Sequence, residues 1–474
     1  MPSADDSIAA VSDPAPAGSA GPGVALLGPT QIEGADGPLS PSETKALLVG
    51  IESDADAGSI LTRHLAIEEK VAGTPLTADN KITVLQDGAE TFRAIAAAIR
   101  GAEDHINLEY YTIEDVTLPG PAGGTVQLAD LLIERRQAGV AVNILYDDYG
   151  SSDTPAEVFA RLEAAGARLL AYHPIAPINP ENVLTLNARD HRKILVADGR
   201  VAVVGGVNLS KSYESKSPGS DDDDDEAAEA AEKAAPLALT EPLPKDWRDT
   251  AIQLEGPVVA QVQELFRDHW RTEQGPALDE SGFFPALAAE GDEVVRIIGS
   301  APDEEIPRYY VALISALRGA EARAWISAAY FVPTPEQLEE LIAASQRGVD
   351  VRLLLADRSD SQDAIAAAQS HYSDLLDAGI RIFETQDVVM HAKTVVIDGV
   401  WSAIGSSNFD FRSVVHNAEV EAIVLGAATG SALERIFEQG MAIATEIDAE
   451  AWEDERSFSE RLRGFFSRRF EWLL

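Results

Sequence analysis

From Lys81 onward, short apolar runs rich in β-branched residues alternate with longer Ala- and Leu-rich segments whose apolar positions repeat with helical spacing. This alternation is typical of an α/β sheet protein. The first unit predicts a strand, a helix and a strand, at 82–85, 91–102 and 106–111. A second unit predicts the same order, at 294–298, 306–320 and 324–331. The chain is therefore expected to contain two similar halves.

The similarity between the halves extends to individual residues at a constant offset. Two segments match over eighteen positions, with six equivalent residues in each: His191, Arg192, Lys193, Asp198, Gly205 and Asn208 against His391, Ala392, Lys393, Asp398, Gly405 and Asn408. Every pair is separated by 200 positions, whereas Asp249 pairs with Glu419 at an offset of 170, each seven residues before a strand-ending glycine. The difference of 30 residues predicts an insertion in the first half.

The domain boundaries follow from composition and from the repeat. Residues 1–50 are rich in Ala, Pro, Gly, Ser and Asp without a sustained apolar period, which predicts a disordered lead. The first domain is predicted at 51–275 and the second at 290–474. The insertion, at about 211–245, contains five consecutive aspartates from Asp221 and predicts a solvated acidic loop; a regulatory or ion-binding flap is the alternative.

Composition narrows the chemistry that the chain can perform. Its 474 residues contain no cysteine, which excludes disulfides, thiolate metal sites and cysteine nucleophiles. The 79 acidic residues against 37 basic ones give a formal charge of −42, which argues against a nucleic-acid partner. No apolar stretch reaches the ~20 residues of a membrane span, and no secretory signal is recognisable at the start. A cytoplasmic location is expected, and an anionic substrate requires a local positive site.

The repeated His and Lys residues carry the candidate chemistry. Residues two apart on a strand point to the same face, so His191 and Lys193 share a surface, as do His391 and Lys393. Two similar halves packed with pseudo-twofold symmetry would bring both pairs to one cleft. Together with Asn208, Ser406 and Asn408, the pairs would supply charges and hydrogen-bond donors that fit a phosphodiester without a metal or cofactor.

Two imidazoles suit a two-step exchange, in which one attacks phosphorus and the other transfers protons. A nucleophilic imidazole needs an acceptor on its other ring nitrogen, and Asp249 and Glu419 are the candidates for that role. Asp198 and Asp398 recur in the same motif and are placed in the catalytic set. Because each stands beside a glycine, a role as an anchor of a turn is the alternative.

These residues resemble the phospholipase D superfamily, whose doubled His-x-Lys-x4-Asp motif is intact in both halves. The similarity runs from about Lys81 to the C-terminus and is greatest to bacterial cardiolipin synthases. The supporting segments are Leu108-Glu109-Tyr110-Tyr111, Tyr146-Asp147, Gly150-Ser151, Asp190-His191-Arg192-Lys193, Gly205-Gly206-Val207-Asn208, Trp247-Arg248-Asp249-Thr250, Tyr330-Phe331-Val332-Pro333, Arg347-Gly348-Val349-Asp350-Val351, Gly405-Ser406-Ser407-Asn408 and Arg412-Ser413. The resemblance implies two α/β/α sandwich domains of the phospholipase D type around one active-site cleft.

The resemblance also implies an activity. One phosphatidyl group is held on a histidine, glycerol leaves, and a second phosphatidylglycerol accepts the group to give cardiolipin. By analogy, His191 is the nucleophile and His391 the acid and base. A hydrolase that releases phosphatidic acid and a catalytically silent lipid-binding protein stay open as alternatives, and a nuclease is disfavoured by the charge.

The C-terminal segment bears on how a lipid substrate is reached. Phe458, Leu462, Phe465, Phe466, Phe470 and Trp472 alternate with Arg456, Arg461, Arg463, Arg468 and Arg469. This pattern is compatible with a basic amphipathic helix on an anionic membrane surface, and packing against its own domain is the alternative. The expectation is a peripheral association with the inner face of the cell membrane. The sequence does not predict the oligomeric state.

Overall fold

The computed structural model describes residues 30–175, 187–214 and 246–455, apart from Asp56, Asp303 and Asp360. The strands of the N-terminal part are β1 (Ile32–Gly34), β2 (Gly37–Pro38), β3 (Leu76–Gln86), β4 (His105–Tyr110), β5 (Thr117–Pro119), β6 (Thr125–Gln127), β7 (Ala141–Asp147), β8 (Arg168–Tyr172), β9 (Arg189–Asp190), β10 (Lys193–Ala197), β11 (Val201–Gly205), β12 (Trp247–Arg248) and β13 (Thr250–Glu255). Its helices are α1 (Pro41–Asp54), α2 (Ile60–Val71), α3 (Asp87–Gly101), α4 (Leu128–Gln137), α5 (Ala156–Ala164) and α6 (Val259–Thr272).

The C-terminal part has a matching set of elements. Its strands are β14 (Glu293–Ser300), β15 (Arg323–Ala328), β16 (Phe331–Val332), β17 (Asp350–Ala356), β18 (Arg381–Thr385), β19 (Val389–Met390), β20 (Lys393–Ile397), β21 (Trp401–Gly405), β22 (Phe409–Asp410), β23 (Asn417–Leu425) and β24 (Ala444–Glu446). Its helices are α7 (Arg308–Gly319), α8 (Pro335–Gln346), α9 (Gln362–Ser370), α10 (Tyr372–Asp377), α11 (Phe411–Val415), α12 (Ala427–Met441) and α13 (Ala449–Glu455). Each strand–helix–strand unit predicted from the pattern is present.

The two halves contain the same mixed sheet. In the first, the order of hydrogen-bonded strands is β3-β13-β11-β10-β4-β7-β8. In the second, it is β14-β23-β21-β20-β15-β17-β18, and β24 adds to the edge. Only the last three strands of each series run parallel to one another. The equivalent orders confirm the predicted pair of homologous α/β domains.

The halves are joined through backbone pairing and through a shared apolar layer. The long strand β3 pairs with β13 along 81–86, and near its start it pairs with β14, where Asn80 lies opposite Glu293. Ile194, Val196 and Ile252 of the first sheet lie in one buried cluster with Val295, Val396 and Val420 of the second. The loss of this apolar surface from water holds the two sheets face to face. The strand ends that carry the motifs thereby meet.

The predicted lead and the first domain boundary require correction. Of the lead predicted at 1–50, residues 1–29 lie outside the described residues, but β1, β2 and α1 occupy most of 32–54. Ser40 begins α1 with a capping box, in which the Glu43 side chain accepts from the Ser40 backbone N–H at 2.8 Å. Helices α1 and α2 pack on the second half, since Ile51, Ile60 and Leu65 share a buried cluster with Leu313 and Leu317.

A buried ion pair fixes α2 to the second half. The Glu68 side chain is fully buried, lies 3.1 Å from the Arg296 guanidinium and accepts a hydrogen bond from the Trp401 indole at 3.2 Å. His64, also fully buried, contacts the same carboxylate. Charges removed from water are stable only when each has a close partner. The Glu68 carboxylate has three such partners, the side chains of Arg296, Trp401 and His64. Residues before β3 therefore belong by packing to the second domain, although they precede the first in sequence.

Within 30–175, 187–214 and 246–455, no helix has the length and apolar character that crossing a membrane requires. Residues 211–214 of the predicted insertion include a short 3-10 turn, Lys211–Tyr213, beside the strand ends. The rest of the insertion and the basic, aromatic segment from Arg456 onward lie outside the described residues.

Candidate active site

Each motif histidine lies at the break between two strands and is held against the other half of the molecule. The short strand β9 pairs in parallel with β23, and the backbone N–H of His191 donates to Ala418 O at 2.9 Å. In the equivalent place, β19 pairs with β12, and the N–H of His391 donates to Arg248 O at 2.8 Å. The prediction that each histidine lies within a strand is wrong by one or two residues, because both strands end just before it.

Because each of these short strands pairs with a strand of the opposite half, each histidine contacts a carboxylate from the other half of the chain. His191 Nδ1 lies 3.0 Å from Glu419 Oε2, one residue after the backbone contact with Ala418. His391 Nδ1 lies 2.7 Å from Asp249 Oδ2, one residue after Arg248. The structure places each of the two predicted carboxylates against one histidine, and each histidine is oriented by the opposite half. With Nδ1 engaged, Nε2 of each ring is the nitrogen left for chemistry.

Both histidines line one cleft of about 440 Å³. Asn208 lines it too, as predicted, and its side-chain oxygen accepts a long 3.4 Å hydrogen bond from Thr112 N. Lys193 and Lys393 lie behind the histidines, where each Nζ donates to the backbone oxygen of its own histidine. Lys393 Nζ is 3.0 Å from His391 Nδ1, so lysine and imidazole share one side as the two-residue spacing predicts.

Burial dominates the electrostatics of these groups. It lowers the pKa of His191 to about 4, and the neighbouring Glu419 carboxylate only partly opposes this shift. Burial and the charge of Lys393 also lower the pKa of His391, against the opposing effect of Asp249. Burial lowers the pKa of Lys193 to about 7. At neutral pH both imidazoles are therefore neutral, the form in which a ring nitrogen can attack phosphorus.

Asp198 and Asp398, predicted as catalytic, do not line the cleft. Asp198 accepts hydrogen bonds of 2.8–2.9 Å from the backbone N–H groups of Glu103, Asp104 and His105. Asp398 accepts equivalent bonds from residues 321–323. Both aspartates have positive φ, 54° and 51°, at the turn that joins the motif strand to the next. Their recurrence is explained by the turn: each carboxylate anchors the start of a neighbouring strand.

This role predicts a loss of stability. Asp398→Ala is expected to lower the free energy of unfolding by about 2–3 kcal/mol, because three backbone N–H groups lose a charged acceptor and alanine is disfavoured at positive φ. Asp398→Asn, which keeps one acceptor and tolerates this backbone, should cost less. Denaturant unfolding of the two variants measures the difference; an unchanged midpoint in Asp398→Ala would contradict the assignment.

Ser406 and Asn408, both predicted to bind phosphate, lie outside the cleft wall and contact protein groups instead. Ser406 is fully buried; its hydroxyl donates to Glu419 Oε2 and accepts from Val420 N at 3.0 Å, so it orients the carboxylate that holds His191. Asn408 lies outside the main cleft, at a small neighbouring cavity of about 20 Å³, and its backbone N–H donates to Ser413 Oγ. Neither is placed to donate directly to a phosphate in the cleft.

Tyr213 is a site residue that the sequence does not single out. Its hydroxyl donates to Asp249 Oδ2 at 2.9 Å and lies 2.7 Å from His391 Nδ1. Its backbone packs so closely on Gly88 that a Cβ there would lie 2.1 Å from Tyr213 O. Trp247 and Tyr330 also approach the His391 ring, with centroids 5.2 and 6.5 Å away. Tyr213 ends a single 3-10 turn, Trp247 begins the two-residue strand β12, and Tyr330 precedes the two-residue strand β16. These elements are too short to show a periodic pattern, so spacing carries no signal for the three aromatic residues.

A second ionic cluster lies behind His191. Ligand-type atoms of Glu109, Asp190 and His269 lie within 4.8 Å of one another, the arrangement that a metal ion would need. However, the Arg192 guanidinium is 3.1 Å from Glu109 and also donates to Glu419 O at 3.0 Å. Because this guanidinium already supplies a positive charge, the cluster is best described as an ion-pair network that fixes the His191 segment.

Comparison with known proteins points to one family. A family model described as "Cardiolipin synthase, PLD-like domain" matches residues 95–218 and 313–441. Cardiolipin synthase 2 of Bacillus cereus is 30% identical over 396 residues, 82% of this chain and 70% of that protein. Cardiolipin synthase A of Pseudomonas syringae is 32% identical over 389 residues, covering 82% and 74%.

A solved structure agrees with the fold. The crystal structure of phosphatidylserine synthase from Haemophilus influenzae superposes with a TM-score of 0.56 at 11% identity, and the match covers 87% of this chain and all of that one. At this identity the likeness supports the doubled α/β architecture alone.

Proposed function

Because the chain belongs to the cardiolipin synthase family of phospholipase-D-like proteins, we propose that it joins two phosphatidylglycerols to give cardiolipin and glycerol. The observation that carries the proposal is the crossed arrangement of the site, with His191 on Glu419 and His391 on Asp249 around one cleft. Two separately oriented imidazoles allow one to bond to phosphorus while the other handles protons.

In the first step, His191 Nε2 attacks the phosphorus of one phosphatidylglycerol and the bond from phosphorus to the glycerol oxygen breaks. His391 gives its Nε2 proton to that oxygen, so glycerol leaves neutral. The anionic phosphodiester favours the protonated form of His391, whose pKa is otherwise lowered by burial and by Lys393. Glu419 stabilises the positive charge that forms on His191.

In the second step, the hydroxyl of another phosphatidylglycerol attacks the phosphohistidine. His391 takes the hydroxyl proton, a new phosphorus–oxygen bond forms, and the bond from phosphorus to His191 breaks. The free enzyme is restored and cardiolipin leaves. The positive charges of Lys393 and of protonated Lys193, which lie behind the histidines, offset the negative charge of the phosphoryl group in both steps. Since water would give phosphatidic acid from the same intermediate, the acceptor distinguishes synthase from hydrolase.

A phospholipid substrate requires contact with a lipid surface, and we place this contact at the periphery of an anionic membrane. The aromatic and basic residues after Arg456 suit that contact by composition. The formal charge of −42 would otherwise repel such a surface.

The test is to incubate the purified protein with phosphatidylglycerol vesicles and to follow lipid products and released glycerol by mass spectrometry. Cardiolipin and glycerol are expected in equal amounts. Phosphatidic acid as the main lipid product would make the protein a hydrolase and would overturn the proposal. A His191→Ala sample prepared in parallel controls for contaminating activity.

A further inference from the structure

The wall of the cleft carries two arginines although the protein is strongly acidic. Among the residues described along it, Arg189 and Arg412 carry charge and Asp410 is the one carboxylate. Burial raises the pKa of Asp410 to about 6, and its side chain caps α11 by accepting from Ser413 N at 2.8 Å. Two arginines on one wall, in a chain with 79 acidic and 37 basic residues, indicate that the cleft binds anions.

The two arginines lie on the same wall as His191. Arg189 is two residues before His191 and pairs along β9 with Asn417 of β23. Its guanidinium lies 3.4 Å from the buried Asp147 carboxylate, which orients it at the cleft wall. Arg412 reaches from the other half to Asn187, where its guanidinium donates to the side-chain oxygen at 2.8 Å and to the backbone oxygen at 3.1 Å. Asn187 is two residues before Arg189. The contacts therefore bring the Arg412 guanidinium to the same segment that carries Arg189.

The two arginines have no equivalents in the internal repeat, whereas the motif histidines and lysines occur in both halves. At the offset of 200 residues, Arg189 corresponds to Val389 and Arg412 to Ser212. The side of the cleft around His391 is instead aromatic, with Tyr213, Trp247 and Tyr330. A reacting phosphate placed between two equivalent His–Lys pairs does not require a cationic group on one side only. The asymmetry therefore fits a second anion that does not react.

We propose that Arg189 and Arg412 form a binding subsite for the phosphodiester of the acceptor lipid. The inference rests on the proposed function, because only an acceptor that is itself a phospholipid brings a second phosphate into the cleft. Guanidinium groups suit this ligand, since their fixed donors match phosphate oxygens and their charge persists at any physiological pH. The subsite would favour phosphatidylglycerol over water or a simple alcohol as the acceptor.

The experiment compares two acceptors for the same donor. Phosphatidylglycerol vesicles are supplied with ethanol, so that cardiolipin and phosphatidylethanol form from one intermediate and their ratio reports the acceptor alone. In Arg412→Gln the ratio of cardiolipin to phosphatidylethanol is expected to fall about tenfold, as for the loss of a charge-assisted hydrogen bond. Arg412→Lys should retain part of the preference. Arg435→Gln, which removes an exposed charge from α12, should leave the ratio unchanged.

An unchanged ratio in Arg412→Gln would overturn the subsite, even if both rates fell. Titration with inorganic phosphate, followed by ³¹P NMR, gives a readout independent of lipid chemistry: two phosphates are expected to bind to the unmodified protein and one to Arg412→Gln. A single phosphate on the unmodified protein would also overturn the subsite. If two phosphates bind but no cardiolipin forms, the proposed function fails and the anion subsite stands.

Discussion

His191→Ala and His391→Ala are each expected to lower the rate of cardiolipin formation at least about 10³-fold, the largest effects expected from any single substitution here. Without His191 no covalent intermediate forms. Without His391 the glycerol oxygen must leave as an alkoxide. Because the two groups serve one sequence of steps, the double variant should be little worse than either single variant.

The measurement combines steady-state rates with quenching in detergent at mildly alkaline pH, where a phosphorus–nitrogen bond persists, of the enzyme mixed with phosphatidylglycerol labelled in the phosphatidyl group. Label should remain on protein containing His191 and be absent from His191→Ala. His416→Ala is the matched control, since His416 packs against Phe411 and is not among the residues that line the cleft. Label on His191→Ala, with none on His391→Ala, would exchange the two roles; full activity in either variant would remove the phosphohistidine mechanism.

The sequence predicts the architecture well because the fold is repeated. Strand–helix–strand units with the same spacing require the same sheet, and the strand orders of the two halves match. The repeat also identifies His191, His391, Asp249 and Glu419. It does not predict which carboxylate holds which histidine, because an internal alignment reports equivalence and not contact. That information lies in the two-residue strands β9 and β12, which are too short to show a periodic pattern.

Two sequence predictions are wrong, the catalytic role of Asp198 and Asp398 and the extent of the N-terminal lead. The sequence itself partly explains both. Asp198 and Asp398 recur with the motif, and recurrence alone does not distinguish a turn anchor from a reacting group. The sequence pattern places residues 41–50 of this helix in the lead because no apolar period is sustained there, yet Ser40, Pro41 and Glu43 form a recognisable N-terminal capping signal. The packing of this helix on the second domain could not be predicted, because the helix directly precedes the first domain in the sequence.

The crossed pairs lead to the second large effect. Glu419→Gln is expected to lower kcat/KM for cardiolipin formation by about 10²–10⁴-fold, because the amide neither fixes the His191 tautomer nor stabilises the charge that forms on the ring. The carboxylate raises the pKa of His191 against the effect of burial. Its removal should lower that pKa further, so the acid limb of the kcat/KM profile that reports His191 should move to lower pH.

Asp249→Asn should have the corresponding effect through His391, although Asp249 lies in the other half of the chain from that ring. Glu438→Gln, an exposed change on α12, controls for the loss of a surface carboxylate. A purely structural role for Glu419 would lower stability in denaturant and leave the acid limb where it is, and that result would contradict the positioning role. A shift of the His191 limb in Glu419→Gln would instead mean that neither domain can form a competent histidine alone. The two halves would then be one catalytic unit, since each supplies the carboxylate that the other requires.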